Sequence, residues 1–108
     1  MCIFCAIAEG KIPSKKILEN DKFLAFYDIN PQTKVHALVI PKEHFKDFND
    51  VTPSVMAEMT VFIQEVVQTL DVKESGYRMI TNIGVDGGQE VPHLHFHILA
   101  GEKLGKLV

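Results

Sequence analysis

Three of the chain's five histidines fall in the run Glu90-Val91-Pro92-His93-Leu94-His95-Phe96-His97-Ile98-Leu99, where they alternate with large apolar residues. Successive side chains of a β-strand point to opposite faces, so this run presents three imidazoles on one face and buries Leu94, Phe96 and Ile98 on the other. Imidazole can be nucleophile, general acid or general base near neutral pH, and a row of three points to transfer of a proton or a phosphoryl group. A solvated strand face or a metal-binding stripe would use the same residues. Alternate strand positions lie about 6.6 Å apart and the outer pair about 13 Å apart. Three nitrogens so spread do not converge on one zinc ion at about 2.1 Å, which disfavours chelation by the whole row.

Just ahead of the histidines lies Asn82-Ile83-Gly84-Val85-Asp86-Gly87-Gly88-Gln89. Its glycines accept unusual backbone angles and let main-chain N–H groups gather around a phosphate-sized anion. Attack by a neutral imidazole on phosphorus would form a bond that water later cleaves, splitting one slow displacement into two easier ones. The attacking ring must be bare at one nitrogen, so a carbonyl or a second histidine has to accept from the other. His36, on a neighbouring strand, is a candidate for that chain. With the anion met by N–H groups and imidazole, the scheme needs no catalytic metal. The only two cysteines stand in Cys2-Ile3-Phe4-Cys5, a spacing shared by redox pairs and by half of a zinc site.

The elements that must carry these groups are legible from periodicity. Ile3 to Glu9 reads as a short helix ended by Gly10 and Pro13, and Lys16–Glu19 with Phe23–Tyr27 reads as a hairpin across Asn20-Asp21. His36 to Ile40 is a buried strand. Thr52 is a good N-cap with Pro53 at the first helical position, and Val55, Met59, Phe62, Val66 and Leu70 recur at helical spacing along the longest helix. Tyr77 to Thr81 and Leu94 to Leu99 supply the last strands. Strands around one long helix imply an α+β domain with an antiparallel sheet. At 108 residues and 46% hydrophobic content the chain can bury roughly two thirds of its unfolded surface in one core. A net charge of −3 disfavours nucleic acid or an anionic membrane as the main partner. Glu9 and Lys11 interrupt the apolar start and no run approaches about 20 apolar residues, so the expected location is cytoplasmic, with thiols reduced.

These residues resemble the histidine triad (HIT) superfamily, whose pattern His-φ-His-φ-His-φ-φ, with φ apolar, is matched by His93 to Leu99. The likeness runs through Ile3-Phe4, Gly10-Lys11-Ile12-Pro13, Phe26-Tyr27-Asp28-Ile29-Asn30-Pro31, His36-Ala37-Leu38-Val39-Ile40-Pro41-Lys42, Gly76-Tyr77-Arg78 and Gly87-Gly88-Gln89-Glu90-Val91. The last of these runs, with Gly101 and Gly105 in a short tail, is most similar to the bacterial Hint branch, whose members hydrolyse purine nucleoside phosphoramidates. The resemblance implies a HIT-like α+β fold over residues 1–108, with a five-stranded antiparallel sheet and one long and one short helix, in a homodimer whose sheets join across a two-fold axis.

The resemblance also implies roles. His95 would attack the α-phosphorus and carry a nucleotidyl-histidine intermediate, His97 would hold the phosphate, and His36 would belong to the relay behind them. Asp28 would accept from the ribose hydroxyls with Ile29 beside it, while Phe4, Ile7, Ile12, Phe26 and Leu38 would wall the purine pocket. Asn82 and the backbone of Gly88, Gln89 and Glu90 would grip the phosphate and leaving group. Cys2, Cys5, His44 and His93 would form a closed Cys2His2 zinc site, structural in kind, drawing the first histidine of the row to the metal. Glu90 stands where eukaryotic Hint proteins carry a serine, and its carboxylate would favour cationic amine leaving groups. A dinucleoside polyphosphate hydrolase and a nonenzymatic purine-nucleotide sensor or adaptor are the alternatives. The nucleotidyltransferase branch replaces the third histidine by glutamine, and His97 argues against it.

Overall fold

Asn20 turns the chain for the first hairpin: its side-chain oxygen accepts from the N–H groups of Lys22 at 2.9 Å and Phe23 at 2.8 Å. On either side of this turn run β1 (Lys16–Glu19) and β2 (Phe23–Tyr27). The computed structural model describes residues 2–107. Ahead of the hairpin lies the short helix α1 (Ile3–Ala8), and after it come β3 (Val35–Pro41), the long helix α2 (Pro53–Thr69), β4 (Arg78–Ile80) and β5 (Phe96–Ala100). The five strands form one antiparallel sheet in the order β1-β2-β3-β5-β4.

Period-two alternation splits this sheet into two chemically different faces. Phe23 and Ala25 of β2, Ala37 and Val39 of β3, and Phe96, Ile98 and Ala100 of β5 face α2, whose Met59, Phe62, Ile63, Val66 and Val67 are buried against them. Of the spaced apolar residues, Val55 and Leu70 at the helix ends are only half-buried. Thr52 caps α2 in extended conformation, accepting from the Val55 N–H at 3.3 Å, with Pro53 leading the first turn. On the other face Leu24, Phe26, Leu38 and Ile40 meet Phe4 and Ile7 of α1. That second face also carries the imidazoles.

The chain beyond β5 folds back on the sheet. Gly101 adopts φ +87, and an added Cβ there would meet the side chains of Lys34 and Val35 at 3.0 Å, so the turn needs glycine. Glu102 then accepts from the Lys34 N–H at 2.8 Å, and the Gly105 carbonyl accepts from Arg78 at 2.6 Å. Among the described residues no helix is long and apolar enough to cross a membrane.

The α2 layer is the foundation on which the imidazole face is held. Phe62 is 1% exposed with its ring 5.5 Å from that of Phe23. Phe62→Ala is expected to cost about 3–5 kcal/mol in urea or thermal unfolding.

Candidate active site

The histidine row is not one straight strand. Only His97 lies within β5, and His93 and His95 precede it. Pro92 has no N–H for a ladder, and the chain bends there: the His93 N–H donates to the Val91 carbonyl at 2.8 Å and the Leu94 N–H to the Phe45 carbonyl at 2.7 Å. Alternation nevertheless survives the bend. Leu94, Phe96 and Ile98 are buried on the α2 side, while His95 and His97 stand on the other, their rings 5.1 Å apart. Phe4 packs edge-on against His95 at 5.0 Å.

Main-chain groups decide which nitrogen each ring offers. His95 Nδ1 lies 2.7 Å from the His93 carbonyl oxygen, which can only accept, so Nδ1 carries a proton and the neutral ring keeps its lone pair on Nε2. The Gln32 N–H donates to His36 Nδ1 at 3.0 Å, which puts the His36 proton on Nε2. That Nε2–H faces His97 Nδ1 at 2.9 Å, so His97 accepts there and carries its own proton on Nε2. His36 therefore pairs with His97, and the partner that orients His95 is a carbonyl rather than a second histidine. Burial lowers the basicity of both members of this pair, and for His97 the neighbouring His95 and His36 add to it, bringing its pKa to about 4 despite the opposing pull of Asp28. With both rings neutral the face presents one bare nitrogen and one N–H side by side.

These rings open into a cleft of about 1150 Å³. Phe4, Ile7, Phe26 and Leu38 make its buried apolar wall, with Ile12 38% exposed at the edge and Ile29 91% exposed at the rim. Asp28 lines the cleft beside the imidazoles: its Oδ1 accepts from the Asn30 N–H at 2.8 Å, and its Oδ2 is 3.4 Å from His36 Nε2. Asn82, Gly88 and Glu90 also line the cleft. Gln89 does not line the cleft. Its amide instead braces the glycine loop, accepting from the Gly84 N–H at 3.0 Å and donating to the Lys46 carbonyl at 2.7 Å and the Val91 carbonyl at 3.0 Å. Asn82 adds a 2.8 Å bond to the Gly87 carbonyl, and Thr81 pins the backbone behind the second histidine by donating to the His95 carbonyl at 2.8 Å.

Sequence reasoning missed several residues here. Lys15, held with its ammonium 5.4 Å from the centre of the Tyr27 ring, and Val91 both line the cleft. Gln32 acts through a main-chain N–H, which no side-chain pattern announces. A shallower depression of about 520 Å³ between the Asn20 turn and α2 carries Glu58 and Glu65, but Lys22 already pairs with Glu58 at 2.8 Å and no histidine, cysteine or hydroxyl side chain lines it.

Among the described residues two side-chain clusters are compact enough to hold a cation: Cys2, Cys5, His44 and His93, and Asp28, His36 and His97. Their proton positions separate them. In the first, His93 Nε2 lies 2.8 Å from the Pro41 carbonyl, so its proton is there and its Nδ1 lone pair faces Cys2 Sγ at 3.3 Å and Cys5 Sγ at 3.5 Å. His44 Nδ1 is 3.3 Å from Cys5 Sγ. A tetrahedron with sulfur at about 2.3 Å and nitrogen at about 2.1 Å has sulfur–nitrogen edges of about 3.6 Å, close to these separations. The second cluster does not fit: the Gln32 N–H forces the proton onto His36 Nε2, the nitrogen a metal would need.

A model of the HIT domain matches residues 9–104. A HIT-like protein of Helicobacter pylori is 61% identical over 103 residues, which cover 95% of this chain and 99% of that protein. The solved structure of a histidine triad protein from Clostridium difficile superposes with a TM-score of 0.93 at 44% identity, covering 99% of this chain and 96% of that one. A HIT family hydrolase from Legionella pneumophila gives a TM-score of 0.92 at 39% identity over 97% of this chain and 96% of its own. The row of imidazoles on a five-stranded sheet and the extent of these matches lead to one conclusion: the chain belongs to the HIT domain family.

Proposed function

We propose that this protein hydrolyses purine nucleoside phosphoramidates and related nucleoside 5'-monophosphate derivatives through a nucleotidyl-histidine intermediate. The observation that carries this reading is the 2.7 Å bond from His95 Nδ1–H to the His93 carbonyl, which leaves Nε2 free for phosphorus at the edge of the cleft. The hydrolase character of the Legionella relative supports it. In the first step Nε2 bonds to phosphorus, the bond from phosphorus to the leaving nitrogen breaks, and the amine departs with one added proton drawn from water. In the second, water adds to phosphorus, the bond to His95 breaks, and nucleoside monophosphate leaves with a proton returned to solvent. His97 Nε2–H and the N–H groups of the glycine loop stabilise charge on the phosphoryl oxygens. Phe4, Ile7, Ile12, Phe26 and Leu38 hold the base, and Asp28, with Ile29 at the rim, holds the ribose.

The same reading assigns a structural zinc ion to Cys2, Cys5, His44 and His93. Four protein ligands leave no open position for chemistry, so the ion would supply only a tie between α1 and the histidine segment, holding Phe4 against His95. It also carries the homodimer. β1 is an edge strand guarded by Lys16 and Glu19, whereas the other edge, β4, is flanked by Tyr77 at 42% and carries Met79 at 50% exposure, and this is the edge a second copy would extend.

Three outcomes test this account. Incubation with adenosine phosphoramidate should leave an adenylyl group on His95, detectable by mass, and His95→Ala should slow turnover at least about 10⁴-fold. Equal or faster turnover of diadenosine polyphosphate would favour the alternative hydrolase, and binding with no turnover of either would favour a sensor. Glu90, exposed and without an ion pair among the described residues, should favour cationic amines: Glu90→Gln should lower the rate ratio of charged over neutral leaving groups about two- to fivefold, and an unchanged ratio removes that role. Elemental analysis should find zinc bound to the purified chain, with chelator lowering the melting temperature by more than about 5 °C. Metal-free protein with chelator-insensitive melting contradicts the zinc assignment.

A further inference from the structure

The His36–His97 pair has a property that its tautomers impose. His36 Nδ1 is filled by the Gln32 N–H and His97 Nδ1 by the His36 Nε2–H. An additional proton on the pair can enter only at one of these two Nδ1 atoms; at His36 it would confront the Gln32 main-chain N–H, which is held in the backbone, whereas at His97 it would confront the His36 N–H across 2.9 Å. One of the two N–H groups has to turn to another acceptor. Asp28 supplies it: Oδ2 is 3.4 Å from His36 Nε2, and a carboxylate oxygen lies within 4.8 Å of a ring nitrogen of each histidine. Its other oxygen is already occupied by the Asn30 N–H.

Asp28 also lines the cleft. On the nucleotide reading given above, on which this inference rests, it is the group that takes the ribose hydroxyls. We propose that Asp28 is a shared acceptor: ribose hydroxyls bound there occupy the oxygen that an additional proton on His36–His97 would need, so a ribonucleoside in the cleft holds the pair neutral and keeps His97 Nε2–H aimed at phosphate. A sugar without 2'- and 3'-hydroxyls leaves the oxygen open and loses this effect. The ligand class so selected is the ribonucleoside, and Asp28 becomes a positioning residue for His97 as well as a sugar contact.

Among the described residues no other charged group duplicates the link. The remaining neighbour of His97 on its own segment is His95, which opposes protonation, and the residue opposite His97 on β4 is the apolar Ile80. Elsewhere in the cleft Lys15 is held over Tyr27, and neither Lys15 nor Glu90 is among the charges that act on His36 or His97. By reciprocity, whatever the ribose does to the proton, the proton does to ribose affinity.

The test is an NMR titration of the His36 and His97 ring protons in the full chain and in Asp28→Asn, each without ligand, with saturating adenosine and with saturating 2',3'-dideoxyadenosine. Neither nucleoside carries a phosphate to interfere. Without ligand, Asp28→Asn should move the pair's titration to lower pH by about one unit. In the unsubstituted chain adenosine should produce a comparable downward shift relative to dideoxyadenosine, and in Asp28→Asn the two nucleosides should titrate alike. Identical ligand-free titrations of the two proteins overturn the link between Asp28 and the pair. Identical titrations with the two nucleosides overturn the sharing. If adenosine perturbs no resonance of the cleft, the nucleotide reading itself fails, and the ligand-free comparison still decides whether Asp28 controls the pair.

Discussion

The bond from His95 Nδ1–H to the His93 carbonyl fixes the chemistry of this face, because a main-chain carbonyl accepts and never donates. Side-chain partners can change protonation state or turn, but this one cannot. The same device recurs at each imidazole of the cluster except His44: the Pro41 carbonyl orients His93, and the Gln32 N–H orients His36 and through it His97. Three backbone groups thereby sort four rings into a lone pair facing two cysteine sulfurs, a nitrogen left without a main-chain partner, a relay member and an N–H donor. Breaking any of these bonds in the buried site would strand a polar group at a cost of about 1–3 kcal/mol.

Those backbone groups come from distant parts of the chain, and the sheet brings them together. Pro41 ends β3, Gln32 lies in the turn leading into it, and β3 pairs along its length with β5. Residues facing α2 form a dense apolar layer, which leaves the opposite face free to carry histidines without weakening the core. The glycine loop is held in turn by Gln89, whose bond to the Lys46 carbonyl reaches the segment that also carries His44. The cysteine–histidine cluster, the loop and the imidazole face are thus mechanically joined through short main-chain contacts.

Much of the fold is legible in the sequence because it rests on local rules. Alternation fixed the faces of Leu94, Phe96 and Ile98, Thr52 and Pro53 marked the start of α2, and Asn20-Asp21 marked the first hairpin turn. The chemistry-bearing residue types were equally visible. What the sequence did not disclose depends on register and on main-chain geometry. Whether His36 meets His95 or His97 follows from how β3 pairs with β5, which no local pattern encodes. The departure of His93 and His95 from the strand follows from the bend at Pro92 and the pull of the Phe45 and Pro41 carbonyls. Gln89 read as a loop backbone contact, yet its amide is a brace to a segment far away in sequence. Gln32 carried no signal because only its N–H is used.

The most direct test is the tautomer of His95 itself, read from the nitrogen-15 shifts and long-range nitrogen–proton couplings of its ring at neutral pH. The account predicts a protonated Nδ1 and a bare Nε2 on His95, beside a protonated Nε2 on His97. A His95 ring protonated at Nε2, or at both nitrogens, would leave no lone pair to attack phosphorus and would contradict it.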